Sequence, residues 1–330
     1  MNVDACRDAL ARFAGQRLVV IGDVMLDEHI WGTVGRVSPE APVMVVDVDD
    51  TECRPGGAAN VAANLRALGA EVALVGVVGD DEGGAILRDR LDQSGVDTTG
   101  LVIDSDRPTT RKTRIWASHR HQVVRVDRES KRRIGASAAQ ELIDRIQSAL
   151  LRAQAVLLSD YDKGVITHDV AQTAIRSAGS AGMISVSNAK PRSVEYYSGI
   201  DVITLNQSEA SAASGIEIES QADAERAGEK LLSGIGCRGL VITRGAHGLS
   251  VFNGAGDIRH VPAIQSEVYD VAGAGDTVVS ALTLALASGL SLPEAGLIAN
   301  CAGGAVVRKV GVATTSIEEI ASLLDCADRA

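Results

Sequence analysis

Short apolar segments alternate with amphipathic segments along most of the chain. Six apolar runs are typical of buried strands: RLVVIGD, EVALVGVVGD, AQAVLLSDYD, MISVSN, DVITLN and GLVITRG. Between them lie segments with helical periodicity, including GGAANVAANLRALGA, GGAILRDRLDQSG and DVAQTAIRSAGSAG. Strands that alternate with helices predict an α/β fold with a doubly wound, mostly parallel sheet flanked by helices. We expect residues 1–330 to form a single domain.

Two segments, residues 28–54 and 107–127, depart from this pattern. Their apolar and polar positions alternate with period two, which is typical of exposed antiparallel strands, and a polar turn is predicted near Ser118–Gln122. Ligands of open α/β sheets bind at the carboxyl ends of the strands. We therefore expect the two segments to form a small β-lid over those ends.

The tetrapeptide Gly-Ala-Gly-Asp occurs twice, at residues 254–257 and 273–276. The first copy lies between the β-type runs LSVF and IRHV and predicts a hairpin turn. The second copy precedes TVVSALTLALASG, an apolar helix that ends at Gly289. A glycine-rich loop before a helix directs unpaired N–H groups and the positive end of the helix dipole toward an anion. Taken alone, the same pattern also fits a flexible loop before a buried helix.

Composition and charge narrow the class of protein. The chain is 45% hydrophobic but only 2% aromatic, so its core must consist of Ala, Val, Leu and Ile, as in a parallel sheet covered by helices. A net charge of −11 argues against nucleic acid as a partner. The five cysteines are scattered and odd in number, which predicts reduced thiols in a cytoplasmic protein. No apolar run reaches membrane-spanning length and the amino terminus does not resemble a signal peptide, so we expect no membrane partner.

One of the two exceptional segments is basic. Residues 107–133 contain ten Lys and Arg against two acidic residues. Period-two alternation places Lys112, Arg114 and Trp116 on one face of a strand. In an acidic protein this surplus indicates a phosphorylated small-molecule partner. The alternative is a solvated edge strand whose charges prevent edge-to-edge association.

Three further motifs lie at the ends of predicted strands. They are VVIGDVMLDEH with Asp23 and Asp27, RPGGAANVAANL with Gly56, Gly57 and Asn60 at the opening of a helix, and TLNQSEASAA with Asn206 and Glu209. Each has an ordinary structural explanation as well. An aspartate can cap a turn, paired glycines permit tight packing, and the N-x-x-E spacing suits a helix N-cap with a capping box.

In this order, the motifs resemble those of the ribokinase-like (PfkB) family of carbohydrate kinases along nearly the whole chain. The G-G-x-x-x-N element of that family matches residues 56–60, and its D-x-x-G-A-G-D-T element matches residues 270–277. Within the family, the chain is most similar to the D-glycero-β-D-manno-heptose-7-phosphate kinases, including the kinase half of bifunctional heptose kinase/adenylyltransferases. That likeness rests on GDVMLDEHIWG, RVSPEAPV, RPGGAANVA, LSDYDKG, EVYDVAGAGDTV and VGVATTS. One departure is Asn188 in SNAKP, where those kinases carry Asp-Pro-Lys.

The resemblance implies phosphoryl transfer from ATP to a hydroxyl of a sugar or sugar phosphate, with heptose 7-phosphate converted to the 1,7-bisphosphate. Asp276 would be the general base, and the N–H groups of Gly273, Ala274 and Gly275 would form the anion hole for the transferred group. No G-x-x-x-x-G-K-[ST] loop is present, which excludes a P-loop mechanism. The first strand is not followed by G-x-G-x-x-G, which argues against a dehydrogenase.

The resemblance also implies the remaining sites. The sugar would be bound by Asp27, Gly56, Gly57 and Asn60. We expect the substrate's own phosphate to be bound by Lys112, Arg114, Lys163 and Lys190. The nucleotide would be bound by Asn206, Thr243, Arg244, Gly245, Gly248 and Asn300. The metal sites would be Asn206 and Glu209 for Mg²⁺ through water, and Asp270 and Ala272 for a monovalent cation such as K⁺.

Two other functions remain open at this point. A related kinase could act on fructose, fructose phosphate, ribose or a nucleoside with the same Asp276. A non-catalytic sensor of sugars or nucleotides could keep the fold, although a sensor has no need of that base. The resemblance further implies a homodimer joined through the β-lids.

Overall fold

The structure is a computed structural model, and it describes residues 1–117, 121–254, 256–264, 268–309 and 311–328. The strands are β1 Arg17–Gly22, β2 Val24–Val37, β3 Met44–Gly57, β4 Glu71–Val78, β5 Asp97–Ile103, β6 Thr110–Ala117, β7 His121–Arg128, β8 Ala155–Ser159, β9 Ile184–Asn188, β10 Val202–Asn206, β11 Gly239–Thr243, β12 Leu249–Asn253 and β13 Ile258–Val261. The helices are α1 Val3–Leu10, α2 Ala58–Ala67, α3 Glu82–Gln93, α4 Ala136–Leu150, α5 His168–Ser180, α6 Gln207–Ser214, α7 Gln221–Ile235, α8 Ala274–Ala287, α9 Leu292–Val306 and α10 Ile317–Asp328.

Nine strands form the main sheet, in the order β13-β12-β11-β10-β9-β8-β1-β4-β5. All neighbours from β11 to β5 are parallel, whereas β12 runs antiparallel to both β11 and β13. The predicted doubly wound, mostly parallel sheet is therefore confirmed. Because the strands from β11 to β4 run in one direction, their carboxyl ends lie along one edge.

Helices cover both faces of this sheet. Leu18 and Val20 of β1 pack into a core with α1, α2, α8, α9 and α10, whereas Val19 and Ile21 pack into a second core with α4, α5 and α7. The two faces follow from the alternation of side chains along a strand. Helices α8 and α9 are buried on nearly all sides, consistent with their continuous apolar sequences.

A second sheet contains four strands, in the order β3-β2-β6-β7. Strands β2 and β3 are antiparallel with Asp27 opposite Arg54, and β6 runs parallel to β2 with Lys112 opposite Asp27. Strands β2 and β3 begin and end a few residues outside the predicted 28–54, since β2 starts directly after Asp23. Residues 118–120 of the predicted polar turn lie outside the described residues. We refer to these four strands as the small sheet.

The two Gly-Ala-Gly-Asp copies occupy different structures, as predicted. The first copy joins β12 to β13, where the Asn253 N–H donates to the Asp257 carbonyl at 2.9 Å; Ala255 lies outside the described residues. The second copy leads into α8, which begins at Ala274. Among the described residues, no helix is both long and apolar enough to span a membrane.

Candidate active site

Polar side chains follow five neighbouring strands at the carboxyl edge of the main sheet. Asp23 follows β1, Tyr161 lies just beyond β8, Lys190 follows β9, Asn206 ends β10 and Thr243 ends β11. Ligands of open parallel sheets bind at this edge. The fold therefore brings the predicted motifs from distant parts of the chain to one side of the molecule.

Asp276 lies in the first turn of α8 and is held by two donors. The Asn60 Nδ2 donates to Asp276 Oδ2 at 2.6 Å, and the Tyr161 hydroxyl donates to Oδ1. Burial raises the pKa of Asp276 above its usual range, and the carboxylate of Asp27 adds to this effect. The donors Tyr161 and Asn60 and the ammonium of Lys190 act in the opposite direction. A fixed carboxylate with a raised pKa is suited to accept a proton near neutral pH.

At the start of α8, a side chain would be strained at Gly273 but would have room at Gly275. Gly273 has φ +78°, and a Cβ on it would lie 3.2 Å from Val312 Cγ1. Apart from its chain neighbours and the backbone of its own helix, no described atom lies within 4 Å of where a Cβ of Gly275 would be, so the first turn of α8 is open on this side. The Ala274 N–H donates to the Val271 carbonyl at 3.2 Å, whereas the N–H groups of Gly273 and Gly275 have no acceptor among the described residues. Two of the three predicted anion-hole donors are therefore open here, and the third is engaged.

A buried chain of hydrogen bonds orients Asn60. The Thr277 hydroxyl donates to Asn64 Oδ1 at 2.7 Å, and Asn64 Nδ2 donates to the Asn60 carbonyl at 2.9 Å and to its side-chain Oδ1 at 3.4 Å. Thr277 is fully buried, and the three residues join α2 to α8. A satisfied buried network of this kind fixes side-chain orientation. Asn60 is thus held in place to contact Asp276.

Asp27 is buried on β2 and forms an ion pair with Arg114, with Nη1 and Oδ1 2.5 Å apart. Gly56 lies against this carboxylate, and a Cβ there would overlap with it. Gly57 has φ +58°, and its Cβ would lie 2.7 Å from Met25 Cε. The glycine pair ends β3, and Gly57 is also the N-cap of α2, which starts at Ala58, so the pair and Asn60 stand at the opening of a helix as predicted. Gly56 and Gly57 therefore also permit tight packing, which was the structural explanation that the sequence allowed.

All four cations predicted to bind the substrate's phosphate are paired with carboxylates in this structure. Besides the pair of Arg114 with Asp27, Lys112 Nζ lies 3.3 Å from Asp127 and 3.4 Å from Glu129. Lys163 Nζ lies 2.9 Å from Glu129, and Lys190 Nζ lies 2.5 Å from Glu209. Each of these four positive charges therefore has an acidic partner within the protein.

Asn206 and Glu209 form the capping box of α6. The Glu209 N–H donates to Asn206 Oδ1 at 2.8 Å, and the Asn206 N–H donates to Glu209 Oε2 at 2.9 Å. The N-x-x-E spacing thus forms a helix N-cap with a capping box, the ordinary structural explanation given for this motif above. Glu209 Oε1 contacts Lys190, so both carboxylate oxygens are engaged.

The predicted nucleotide residues lie in two groups. Thr243 ends β11, and the Arg244 N–H donates to the Gly248 carbonyl at 2.7 Å, which closes the turn that contains Gly245. Gly248 has φ +77°, and a Cβ there would overlap with the Val261 carbonyl. Asn300 is buried on α9, where its Nδ2 donates to the Pro262 carbonyl at 2.8 Å.

Arg244 itself is incompletely paired. Its Nε is buried and has no hydrogen-bond partner among the residues that the structure describes, and burial lowers its pKa below the usual value.

The proposed cation residues Asp270 and Ala272 form a compact turn. Asp270 accepts from the Ala272 N–H at 2.9 Å and from the Gly311 N–H at 3.0 Å. These contacts tie the glycine-rich loop to the segment that follows α9. Within the described ranges, no group of three or more His, Cys, Asp and Glu side chains is arranged to hold a metal ion. The assignment of a monovalent cation here stays a prediction.

Two residues of the site, Tyr161 and Asp23, received no role from the sequence. Asp23 is fully buried and accepts from the N–H groups of Tyr161, Lys163 and Val165 at 2.8, 3.1 and 3.1 Å. Burial and the neighbouring Asp160 raise the pKa of Asp23 to about 6, although the three N–H donors oppose the shift. Asp23 therefore fixes the loop that presents Tyr161 to Asp276. Both residues lie at the carboxyl ends of predicted strands, RLVVIGD and AQAVLLSDYD, which was the available signal.

The model of the pfkB family of carbohydrate kinases matches residues 16–320 of the chain. Two curated relatives, both named bifunctional protein HldE, come from Geobacter sulfurreducens (45% identical over 93% of this chain and 62% of that protein) and Desulfatibacillum aliphaticivorans (43% identical over 94% and 64%). The chain thus spans less than two thirds of the length of these relatives.

Solved structures share the fold at low sequence identity. Phosphofructokinase-2 from Escherichia coli in complex with potassium superposes with a TM-score of 0.78 at 18% identity, covering 96% of this chain and 100% of that one. Arabidopsis thaliana ribokinase complexed with ribose and ATP gives 0.73 at 20% identity, covering 94% and 99%. Since the family model extends over nearly the whole chain and includes each site residue described above, the chain belongs to the pfkB family of carbohydrate kinases.

Proposed function

We propose that the chain transfers the terminal phosphoryl group of ATP to the anomeric hydroxyl of D-glycero-β-D-manno-heptose 7-phosphate. The products would be the 1,7-bisphosphate and ADP. The observation that carries the proposal is the position of Asp276, at the start of α8 and between the side chains of Asn60 and Tyr161. The heptose acceptor is supported by the sequence motifs and by the similarity to the HldE proteins.

In the proposed mechanism Asp276 accepts the proton of the acceptor hydroxyl. The freed oxygen forms a bond to the terminal phosphorus of ATP, the bond from that phosphorus to the bridging oxygen breaks, and ADP leaves with the electron pair. Asn60 and Tyr161 hold the carboxylate in one orientation. A base placed in this way contributes about 10²- to 10⁴-fold to the rate.

The transferred group would be stabilised by the start of α8. The open N–H groups of Gly273 and Gly275 and the positive end of the helix dipole favour negative charge in front of the loop. Such preorganised donors stabilise the charge that develops during transfer. The Ala274 N–H would join them once it releases the Val271 carbonyl.

Asn206 and Glu209 provide oxygen donors of the kind that suits Mg²⁺. Both oxygens of Glu209 are already engaged, by Lys190 and by the Asn206 N–H, so the pair fits a contact through water better than direct ligation. Bound Mg²⁺ would neutralise charge on the nucleotide phosphates.

A free sugar is the second candidate acceptor. Two observations favour it: the ion pairing of all four predicted phosphate-binding cations, and Asn188 at a position where the heptose kinases carry aspartate. Asn188 Oδ1 accepts from the Asp160 N–H at 3.0 Å, a bond that an aspartate would also accept.

We further propose a homodimer, a cytoplasmic location and a monovalent cation. A homodimer through the small sheet is supported by the exposed apolar side chains of Val48, Val124 and Val126, which are 59%, 44% and 53% accessible. A cytoplasmic location is supported by five cysteines that are all free. A monovalent cation such as K⁺ would be held near Asp270 and Ala272.

The test is ADP release by the purified protein with Mg-ATP and a panel of acceptors. The panel should contain heptose 7-phosphate, other sugar phosphates, and the corresponding free sugars. We expect kcat/KM to be highest for the heptose phosphate and turnover to disappear in Asp276→Asn. Preference for free sugars would establish the second candidate, and no turnover with any acceptor would indicate a non-catalytic sensor.

A further inference from the structure

Glu129 lies between two lysines at the acceptor side of the site. Its Oε2 is 2.9 Å from Lys163 Nζ and 3.4 Å from Lys112 Nζ. The three side chains are only 13%, 13% and 16% exposed. Partly buried ion pairs of this kind are much less screened by salt than surface pairs.

This cluster adjoins the residues that would bind the sugar. Lys112 is directly opposite Asp27 across β2 and β6, and Lys163 is two residues beyond Tyr161, whose hydroxyl contacts Asp276. A phosphorylated acceptor with its reacting hydroxyl at Asp276 would therefore bring its phosphate toward these lysines. At that position the negative charge of the phosphate would be repelled by the Glu129 carboxylate.

Glu129 is an anion in the unliganded site. Although burial disfavours its charge, the ammonium groups of Lys163 and Lys112 hold its pKa below the usual value, so it is ionised at neutral pH. Without this carboxylate, Lys112 would keep Asp127 as a partner, but the ammonium group of Lys163 would lie close to that of Lys112 with less negative charge between them, which costs free energy. Glu129 thus supplies the negative charge that a bound phosphate would otherwise supply.

The side chain of Glu129 can leave while its surroundings stay fixed. The residue follows the end of β7 at Arg128 and so lies outside the strand ladder. Arg107 Nη2 donates to the carbonyls of Lys163 and Ser130, at 2.6 and 3.2 Å, and thereby holds the main chain on both sides. Lys131 Nζ lies 3.6 Å from Glu129 Oε1, and its side chain is 72% exposed. An outward ion pair is therefore available to a displaced Glu129.

We propose that Glu129 is a placeholder for the substrate's phosphate, displaced toward Lys131 when a phosphorylated acceptor binds. The inference rests on the proposed function, because it assumes an acceptor that already carries a phosphate. A phosphate dianion brings more charge to Lys112 and Lys163 than one carboxylate does, and so it can displace Glu129. A neutral sugar cannot, so we expect the ion pair to stay intact when the acceptor carries no phosphate.

The experiment compares wild type with Glu129→Gln, Glu129→Asp and the matched control Glu141→Gln. Glu141 is an exposed residue of α4 paired with Arg145 at 3.2 Å, so its substitution changes the charge equally but away from the site. Binding of inorganic phosphate is measured by calorimetry. KM and kcat are measured with the heptose phosphate and with ATP, and thermal unfolding confirms that each variant folds.

We expect Glu129→Gln to bind inorganic phosphate about three- to tenfold more tightly than wild type, the range of a partly buried ion pair. KM for the sugar phosphate should fall by a similar factor while kcat and KM for ATP stay unchanged. The phosphate affinity of Glu129→Asp, which keeps the charge on a shorter side chain, should lie between those of wild type and Glu129→Gln. The affinity of Glu141→Gln should equal that of wild type.

Equal or weaker phosphate binding in Glu129→Gln would overturn the proposal, since Glu129 would then position the lysines instead of competing for them. The proposed function fails by a different result, namely no turnover of any sugar phosphate. In that case tighter phosphate binding by Glu129→Gln would still support the placeholder role.

Discussion

The two Gly-Ala-Gly-Asp segments have the same sequence and different surroundings. In the first, Asp257 is exposed and contacts Arg259, two residues away, at 3.1 Å. In the second, Asp276 contacts Asn60 and Tyr161, which are 216 and 115 residues away in the sequence. The first segment connects two strands of a hairpin, whereas the second begins a buried helix.

The comparison shows that the Gly-Ala-Gly-Asp sequence alone does not place its aspartate in a buried, hydrogen-bonded environment. A reactive carboxylate needs burial to raise its pKa and donors to orient it, and both come from distant residues. Asp276 obtains these from α2 and from the loop after β8, whereas Asp257 faces solvent. The predictions below test this difference, beginning with the largest expected effect.

Asp276→Asn should lower kcat by about 10²- to 10⁴-fold, because the amide cannot accept the proton of the acceptor hydroxyl. Asp257→Asn should leave kcat within about twofold of wild type, as expected for an exposed turn residue. Burial raises the pKa of Asp276 in the folded state, so its ionised form costs stability as pH rises through that pKa. Asp276→Asn should therefore keep or raise Tm at neutral pH. Activity loss together with a lowered Tm would point to misfolding instead.

Gly273→Ala and Gly256→Ala compare the glycines of the two segments. Both residues have positive φ, +78° and +86°, so both substitutions should cost about 1–2 kcal/mol of folding free energy. Only at Gly273 would the new Cβ meet neighbours, Val312 at 3.2 Å and Asn60 at 3.4 Å. We expect kcat/KM to fall by up to about 10²-fold in Gly273→Ala through misplacement of the loop and Asn60. Gly256→Ala should lose stability but keep activity, as measured by steady-state kinetics and denaturant unfolding.

Tyr161→Phe should have the smallest effect on rate and a distinct effect on pH dependence. The Tyr161 hydroxyl donates to ionised Asp276 and so lowers its pKa; without it the pKa should rise further. Since the base must be ionised, activity falls as pH drops through this pKa, and the acid limb of the kcat profile should move to higher pH. We expect a loss in kcat of about tenfold at neutral pH, the value of one hydrogen bond to a charged group. An unchanged acid limb would show that Tyr161 does not act on the base.

The hydrophobic pattern was sufficient to predict the main sheet and many of its helices. Strands such as Arg17–Gly22 and Val202–Asn206 are buried on both faces, so they form continuous apolar runs that are easily recognised. The placement of Asp23, Tyr161 and Asn206 at one edge then follows from the common direction of parallel strands. The helix Ala136–Leu150 was not predicted, because its three buried residues form only a narrow apolar stripe.

The sequence by itself determined that Asp276 starts a helix behind a glycine-rich loop, since glycine at positive φ and the apolar run after it are local properties. Only the tertiary structure decided which partners each charged group has. The lysines predicted to bind phosphate are paired with Asp127, Glu129 and Glu209, and Tyr161 reaches Asp276 from the loop after β8. Electrostatic energy depends on distance in space and on burial, and neither quantity is set by separation along the chain.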